Sequence, residues 1–516
     1  MFKSLKRPRP GPQLLGEAIQ VRVGLYLTHS VLALPSPLAS SEPGRYNIPG
    51  PYAAVHLLND DILLNTFNFY RLDEDNGWNL RLGWCKLSQV CQRWRHLIYE
   101  CAFYLGMHIE CTNGTPIVDT LDHLPPLPLF VTYGNWHGAA LTKQDELGIF
   151  HVLHLHDRVR HIRIKLPSDS SILYKVLVLL DEHFPILEHL SLSFAAENRI
   201  PLTLPKAFLA PNLRYLSLPG ISPPRRLRLL TYTVSLITLH LRNIQASSYF
   251  CPKLLVARLW CLPQLENLHI EFAVPIPRPR AERELLGEHG APMILPSLKT
   301  LQFKGVSSYL ESLVTQIRAP LLKWLCLEFF NQIDFVLPQL SHLIDTTEVF
   351  NLSEAMIYFG TTEVSITMAR HCSLWFSPAP LLLRVMRMQL DWQIDCAAQI
   401  CNALTPALSG VEVITLECHH FKIPPAFQNG AIDSTMWHEL LRPFIGVKVL
   451  HVAGVLLEEL SRALQVGDIG SDPEFLPILQ HIFAIDNLFT AFIDTRQVVG
   501  RPVQFSRGDS RGHGSV

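Results

Sequence analysis

Three histidines, His151, His154 and His156, have the spacing in this chain that comes nearest to a metal-binding arrangement. Imidazoles suit zinc, but a closed zinc site takes four tetrahedral ligands. Asp157 is the only acid beside them, and neither a cysteine nor a paired carboxylate completes the set. The plainer reading is a polar helix end, so no metal and no other cofactor is expected. Thiol chemistry is the other candidate. The 11 cysteines are odd in number and form no Cys-x-x-Cys, which points to buried thiols in a reduced compartment. A catalytic thiol needs a depressed pKa. Cys91, Cys251, Cys261, Cys326 and Cys396 instead stand among apolar neighbours, where a thiol behaves as a small hydrophobe. The sequence also lacks a phosphate-binding P-loop and the zinc motif H-E-x-x-H.

A different set of residues recurs with a clear period. The pattern Pro-x-Leu-x-x-Leu-x-(Leu/Ile/Phe) starts at Pro185, Pro211, Pro263, Pro296 and Pro320, and a copy at Val234 has valine for proline. Its first leucines are Leu187, Leu213, Leu236, Leu265, Leu298 and Leu322, at intervals of 23 to 33 residues. A leucine code at about 20–29 residues is the mark of a leucine-rich-repeat solenoid. Alternation in Leu190-Ser-Leu192 or Leu216-Ser-Leu218 puts both leucines on the buried face of a short strand. Proline cannot donate a ladder hydrogen bond and suits the loop just before that strand.

This pattern predicts parallel strands near 187–192, 213–218, 236–241, 265–270, 298–303 and 322–327, forming one curved sheet. The residues between the leucines then point outward. One row is Ser191, Ser217, His240, His269, Gln302 and Cys326. A second is Ser193, Pro219, Arg242, Glu271, Lys304 and Glu328. A third, one step before the middle leucine, is His189, Tyr215, Thr238, Asn267, Thr300 and Trp324. Stacked repeats present such rows to a partner. The substrate-binding candidates are Tyr215, His240, Arg242, His269, Glu271, Lys304, Trp324 and Glu328. For each charge, the plainer role is to solvate the sheet and form weak cross-strand pairs.

Composition narrows the partner. Lys and Arg total 44 against 45 Asp and Glu, so the basic excess of a nucleic-acid binder is missing. Hydrophobic residues make up 48% of the chain and charged ones 17%, as in an ordered, core-rich protein. No run of 18 apolar, uncharged residues is present, so no membrane span is expected. Lys3, Lys6, Arg7 and Arg9 precede a partly apolar stretch from Val21 to Leu38, but Arg22, His29 and prolines interrupt it. A Pro-rich, disordered leader over residues 1–52 is expected rather than a signal peptide.

Residues 53–105 change period. Leu58, Ile62, Leu63, Phe67 and Tyr70 keep helical spacing. After a polar loop, so do Leu87, Val90, Cys91, Trp94, Leu97 and Ile98. Helices are expected over 56–70 and 86–99. Residues 111–141 read as loop because of Pro116, Pro125, Pro126 and Pro128, and Val159-Arg-His-Ile-Arg-Ile reads as the first repeat strand. Beyond Trp324 the code weakens to Phe350-Asn-Leu352, Ile414-Thr-Leu416, Leu450-His-Val452 and Leu479-Gln-His-Ile482.

The helical segment, LLNDDILLNTF from Leu57 and CKLSQVCQRWRHLI from Cys85, resembles an F-box. The matching positions are Leu58, Asp61 for the usual glutamate, Ile62, Leu63, Phe67, Leu87, Val90, Cys91, Trp94 and Arg95. Asn59 stands where the family prefers proline, and the loop between the half-motifs is long. Together with the ending FTAFIDTRQVVGRPVQF, the chain looks like the F-box proteins with leucine-rich repeats of mushroom-forming fungi. The resemblance implies an α/β chain in four parts: a leader, 1–52; an F-box-like helical domain, 53–105; an irregular leucine-rich-repeat solenoid, 106–505; and a disordered tail, 506–516. It implies a substrate receptor of a cullin-type ubiquitin ligase, not itself a catalyst, in the cytoplasm or nucleus. A Skp-type adaptor, and through it a cullin, would be bound by Leu57, Leu58, Ile62, Leu63, Phe67, Leu87, Val90, Cys91, Trp94 and Leu97. An unknown protein substrate would be held by the repeats; neither nucleic acid nor membrane is expected as a partner. The alternatives are an interaction scaffold that no longer binds the adaptor and, less favoured, a zinc hydrolase around His151.

Overall fold

A computed structural model of the chain describes residues 58–72, 87–101, 108–121, 126–134, 141–166, 171–194, 202–222, 228–275, 292–332, 334–350, 352–370, 379–386, 390–418, 434–452, 456, 460, 476–484 and 504–507. Leu57, the leader over 1–52, the long loop over 73–86 and residues 508–516 of the expected tail lie outside these. Two compact units divide the chain: Met1–Pro128 with Thr142–Gly148, and Leu129–Leu141 with Ile149–Val516.

In the first unit, helix α1 spans Asp60–Leu72 and helix α2 spans Gln92–Glu100. Asn59 starts α1: its side-chain oxygen accepts a hydrogen bond from the Ile62 amide at 2.8 Å. Asp60 and Asp61 then place negative charge at the positive end of the helix dipole. The second helix is shorter than its periodicity predicts. Cys91 is extended, at φ −158°, and its thiol accepts from the Trp94 amide at 3.4 Å, so α2 begins after it. Leu87 to Val90 form a separate turn closed by a Val90 N–H to Leu87 carbonyl bond of 3.2 Å. The expected loop over 111–141 is corrected. A strand, Ile109–Thr112, and a short helix, Ile117–Leu121, lie in this unit, and the strand Leu129–Gly134 opens the next. The prolines fall between these elements and mask them in the sequence. Buried Asp145 accepts from the Gly114 amide at 2.6 Å and from the Thr142 amide and hydroxyl at 2.9 and 2.7 Å. The Thr142 hydroxyl in turn accepts from the Asp145 amide, a reciprocal cap on the helix that follows.

The second unit is a mixed α/β assembly around one large, mostly parallel sheet of 15 strands. In chain order these are β1 (Leu129–Gly134), β2 (Val159–Leu166), β3 (His189–Phe194), β4 (Tyr215–Pro219), β5 (Thr238–Ile244), β6 (Asn267–Phe272), β7 (Thr300–Gly305), β8 (Trp324–Phe329), β9 (Glu354–Phe359), β10 (Glu363–Ala369), β11 (Leu381–Met386), β12 (Val413–Cys418), β13 (Val449–Val452), β14 (His481–Ala484) and β15 (Gln504–Arg507). Strands β1 to β8 are neighbours in sequence order and pair in parallel. The six strands expected from the leucine code therefore lie in one parallel sheet, each beginning about two residues after the first leucine.

After β8 the order changes to β11-β10-β9-β12. Strand β10 pairs antiparallel on both sides, while β11 continues β8 in parallel and β9 continues into β12 in parallel. Strands β10 and β11 are absent from the sequence reading, which placed a repeat copy at 350–352; the strand starts at Glu354. The first repeat strand is also not Val159–Leu166, since β1 precedes it. Ser506 and Arg507, assigned above to a tail, belong to β15.

Alternation decides which residues enter the core. Leu190, Leu192, Leu216, Leu218, Leu239, Leu241, Leu268, Leu325 and Leu327 are all buried, as are the six first leucines of the code. Helices between the strands cover this face, among them Ser171–Leu179, Pro252–Leu259, Ser307–Val314, Pro338–Thr346 and Leu390–Ala403. The helices Pro252–Leu259, Ser307–Val314 and Pro338–Thr346 pack one against the next. The Glu311 carboxylate reinforces the second contact by accepting from the Gln339 and Leu340 amides at 2.9 and 3.0 Å. Burial holds the Glu311 carboxyl above its ordinary pKa, partly offset by these two hydrogen bonds.

Candidate functional site

Two surfaces carry the sequence candidates, one in each unit. In the first unit, Leu63, Phe67, Leu97 and Ile98 form the core between α1 and α2, with the Phe67 ring edge-on to Trp94 at 4.8 Å. Arg93 ties the helices together: its guanidinium bonds the Asp60 carboxylate at 2.7 Å and the Leu58 carbonyl at 2.6 Å. Arg95 binds the Ser88 carbonyl at 3.0 Å. The ten adaptor candidates therefore split. Leu63, Phe67 and Leu97 are core. Leu58, Leu87, Cys91 and Trp94 are half-buried. Ile62 and Val90 stand out at 48% and 59% exposed, and Leu57 lies outside the described residues.

In the second unit all eight substrate candidates share the sheet face opposite the leucines. Their order is set by register. In the row His161, His189, Tyr215, Thr238, Asn267, Thr300, Trp324 each residue pairs with the next. Its first part is a stack of rings: Phe130 on His161 at 5.2 Å, His161 on His189 at 4.0 Å and His189 on Tyr215 at 4.0 Å. Its next part is a polar ladder: Asn267 donates to the Thr238 hydroxyl at 3.1 Å and accepts from the Thr300 hydroxyl at 2.6 Å. The Tyr215 hydroxyl reaches diagonally to within 3.4 Å of His240 Nδ1, and the His240 and His269 rings meet edge to face at 5.5 Å. Ser217, expected to be exposed, is only 4% exposed, because its short side chain lies beside both Tyr215 and His240.

Burial, assisted by Arg163, lowers the His189 pKa to about 4. Burial, then His240 and Arg242, lowers that of His269 to about 4. His240 is lowered by burial and then by Arg242. At neutral pH these rings are uncharged.

The second row is an alternating charge ladder. Glu271, Lys304, Glu328 and Arg384 pair in register across β6, β7, β8 and β11. Lys304 lies 2.6 Å from Glu328 and 3.7 Å from Glu271. Burial lowers the Lys304 pKa, but the two carboxylates outweigh it and hold the ammonium above its ordinary range. Arg242 sits at the start of this ladder on a β-bulge, where Asn243 adopts φ 56°. It is exposed and makes no ion pair among the described residues.

Phe130, His161 and Arg384 were missed in the sequence. The alternation in Val159-Arg-His-Ile-Arg-Ile puts His161 on the outward face, but only the pairing of His161 with His189 shows which column it joins. Arg384 had no signal, because the ladder reaches it only by skipping from β8 to β11.

The His151 cluster is not assembled around a common point. His154 Nδ1 donates to the Phe150 carbonyl at 2.7 Å and His156 Nδ1 to the His183 carbonyl at 2.9 Å. Among the described residues no three His, Cys, Asp or Glu side chains are grouped to hold a metal ion, and no helix is long and apolar enough to cross a membrane. The Cys326 thiol is pushed up in pKa by burial, the opposite of an activated nucleophile. No known protein family and no curated protein matches this chain.

Proposed function

We propose that the chain is a non-catalytic receptor of a cullin-type ubiquitin ligase, an F-box joined to leucine-rich repeats. The helical pair binds a Skp-type adaptor, and the outward sheet face holds a protein substrate. The ligase gains rate from proximity, because the receptor holds the substrate near an enzyme carried by other subunits.

The observation that carries the reading is the apolar surface left over by α1 and α2. Leu63, Phe67, Leu97 and Ile98 suffice for the small core, yet Ile62 and Val90 remain exposed and Leu58, Leu87 and Trp94 half-exposed. Apolar side chains left uncovered on so small a unit fit a partner interface. Asn59 supports the same reading, since it caps α1 in the place of the family's proline.

The test is co-purification with a Skp-type adaptor. The pair Ile62→Glu and Val90→Glu should reduce capture at least tenfold without lowering the melting temperature, because neither side chain is core. Undiminished capture by that double variant, or no capture by the unaltered chain, defeats the reading.

A further inference from the structure

Another surface of the second unit lies at the end of the sheet where β4 to β8 begin. The loops entering these strands share one turn. In each, the amide of the code's first leucine donates to the carbonyl three residues before it, at 3.0 to 3.4 Å. One residue after that leucine, a ladder of 2.8 Å bonds runs from the Lys323 amide through Lys299, Glu266 and Ile237 to the Arg214 carbonyl. The two-residue strand Met293–Ile294 also pairs in parallel with Ile317–Arg318. The loops are therefore stacked in register, and their equivalent residues form rows along this edge. Tyr232, Val234, Trp260, Ile294 and Leu321 stand there, within five residues ahead of their repeat's first leucine, and all are half exposed or more. Single exposed apolar side chains are ordinary, but five on four stacked loops make a patch. Arg214, Arg318 and Lys323 are exposed on the same edge, and none has an ion pair among the described residues. The described residues between 211 and 332 hold four carboxylates, and each is engaged elsewhere. Glu266 is bonded by Lys299 at 2.6 Å, Glu271 and Glu328 flank Lys304 on the outward face, and Glu311 accepts from the Gln339 and Leu340 amides.

We infer that this edge binds an acidic amphipathic helix of a partner protein, laid across the loops that enter β4 to β8. The surface belongs neither to the helical pair nor to the outward sheet face, so the inference stands apart from adaptor and substrate binding. Spacing selects a helix. Stacked loops repeat about every 4.8 Å, and a helical turn rises about 5.4 Å. A helix along the edge thus meets each loop with one residue of its apolar i, i+4, i+7 stripe, and drifts only about 2 Å over three steps. An extended strand shows one face a side chain about every 6.7 Å and drifts about 6 Å over the same steps. Four steps separate the loop of β4 from that of β8. That is about 19 Å, the length of roughly 13 helical residues. Charge selects acidic flanks, which meet Arg214 at one end and Arg318 with Lys323 at the other. A second copy of this chain would set these bases against themselves. An anionic bilayer is drawn by clusters of about four to eight bases, more than the three unpaired here. A nucleic acid would leave Val234, Ile294 and Leu321 uncovered.

The experiment measures fluorescence anisotropy of two labelled 15-residue peptides with the full-length protein at low salt. Both contain four Leu, four Glu and seven Ala or Gln. One spaces its leucines at i, i+4, i+7 and i+11 with two Glu near each end; its isomer has the same composition with alternate leucines. The first peptide should bind at least tenfold tighter and gain helical circular dichroism on binding, and added salt should weaken it. The pair Trp260→Ser and Ile294→Ser should weaken it at least fivefold, as should Arg214→Glu with Lys323→Glu. Neither pair should lower the melting temperature, because all four side chains are exposed. Sedimentation with phosphatidylserine vesicles is the control for a membrane partner. No binding of either peptide, equal binding of the two, or indifference to either pair of variants overturns the inference. So does vesicle binding that the Arg214 and Lys323 pair abolishes and the peptide does not displace. Adaptor capture, measured on the same preparations, decides the receptor reading alone and leaves this result untouched.

Discussion

His189 and His269 are held neutral mainly by burial in a face made of other rings, with pKa values of about 4 against 6.5 for a free histidine. A depressed histidine pKa means that the unfolded chain binds more protons than the folded one between those values. Stability from these rings is therefore complete above about pH 6.5 and is lost as the pH falls toward 4. Thermal melts from pH 7.5 to 4.5 should show a falling melting temperature, and the slope should flatten in His189→Asn and His269→Asn. An unchanged slope in both variants refutes the coupling. The same face shows where single residues mislead. Lys304 looks in sequence like a free cation for a substrate, yet two carboxylates hold it. Truncating it mainly leaves Glu271 and Glu328 to repel each other. Arg242, exposed and unpaired among the described residues, is the better probe of recognition.

At the scale of elements, caps and alternation set the boundaries. The first turn of α1 depends on Asn59, so Asn59→Ala should cost about 1 kcal/mol there. Hydrogen exchange at the Ile62 and Leu63 amides should quicken several-fold, with no effect on the sheet; unaltered exchange removes the cap from the account. In the sheet, Leu216 and Leu239 are wholly enclosed by neighbouring strands and helices. Replacing either by Ala should destabilise the second unit by about 2–5 kcal/mol, measured by denaturant unfolding. A cost under 1 kcal/mol at both sites is incompatible with the packing. Strands β3 to β8 were legible because each repeats one alternation, in five of the six after a proline and in β5 after Val234. Strands β10 and β11 were not, although Glu363-Val-Ser-Ile-Thr alternates as well. Nothing in their composition separates an antiparallel excursion from another repeat.

Across the whole molecule, the sequence by itself determined the period, the identity of the buried leucines and the face on which the eight candidate residues lie. These follow from local rules: alternation fixes a side chain's face, and an apolar residue on the inner face has no favourable place but the core. The split between core and surface in α1 and α2 was only half visible, since helical spacing marks an apolar stripe without saying how much of it a second helix will cover. Tertiary structure alone decided two things. It stacked Phe130, His161, His189 and Tyr215 into one column, and it brought Arg384 beside Glu328 across a reordered sheet. Each depends on which strands become neighbours, and that is fixed by long-range pairing between segments tens of residues apart rather than by the residues within any one of them.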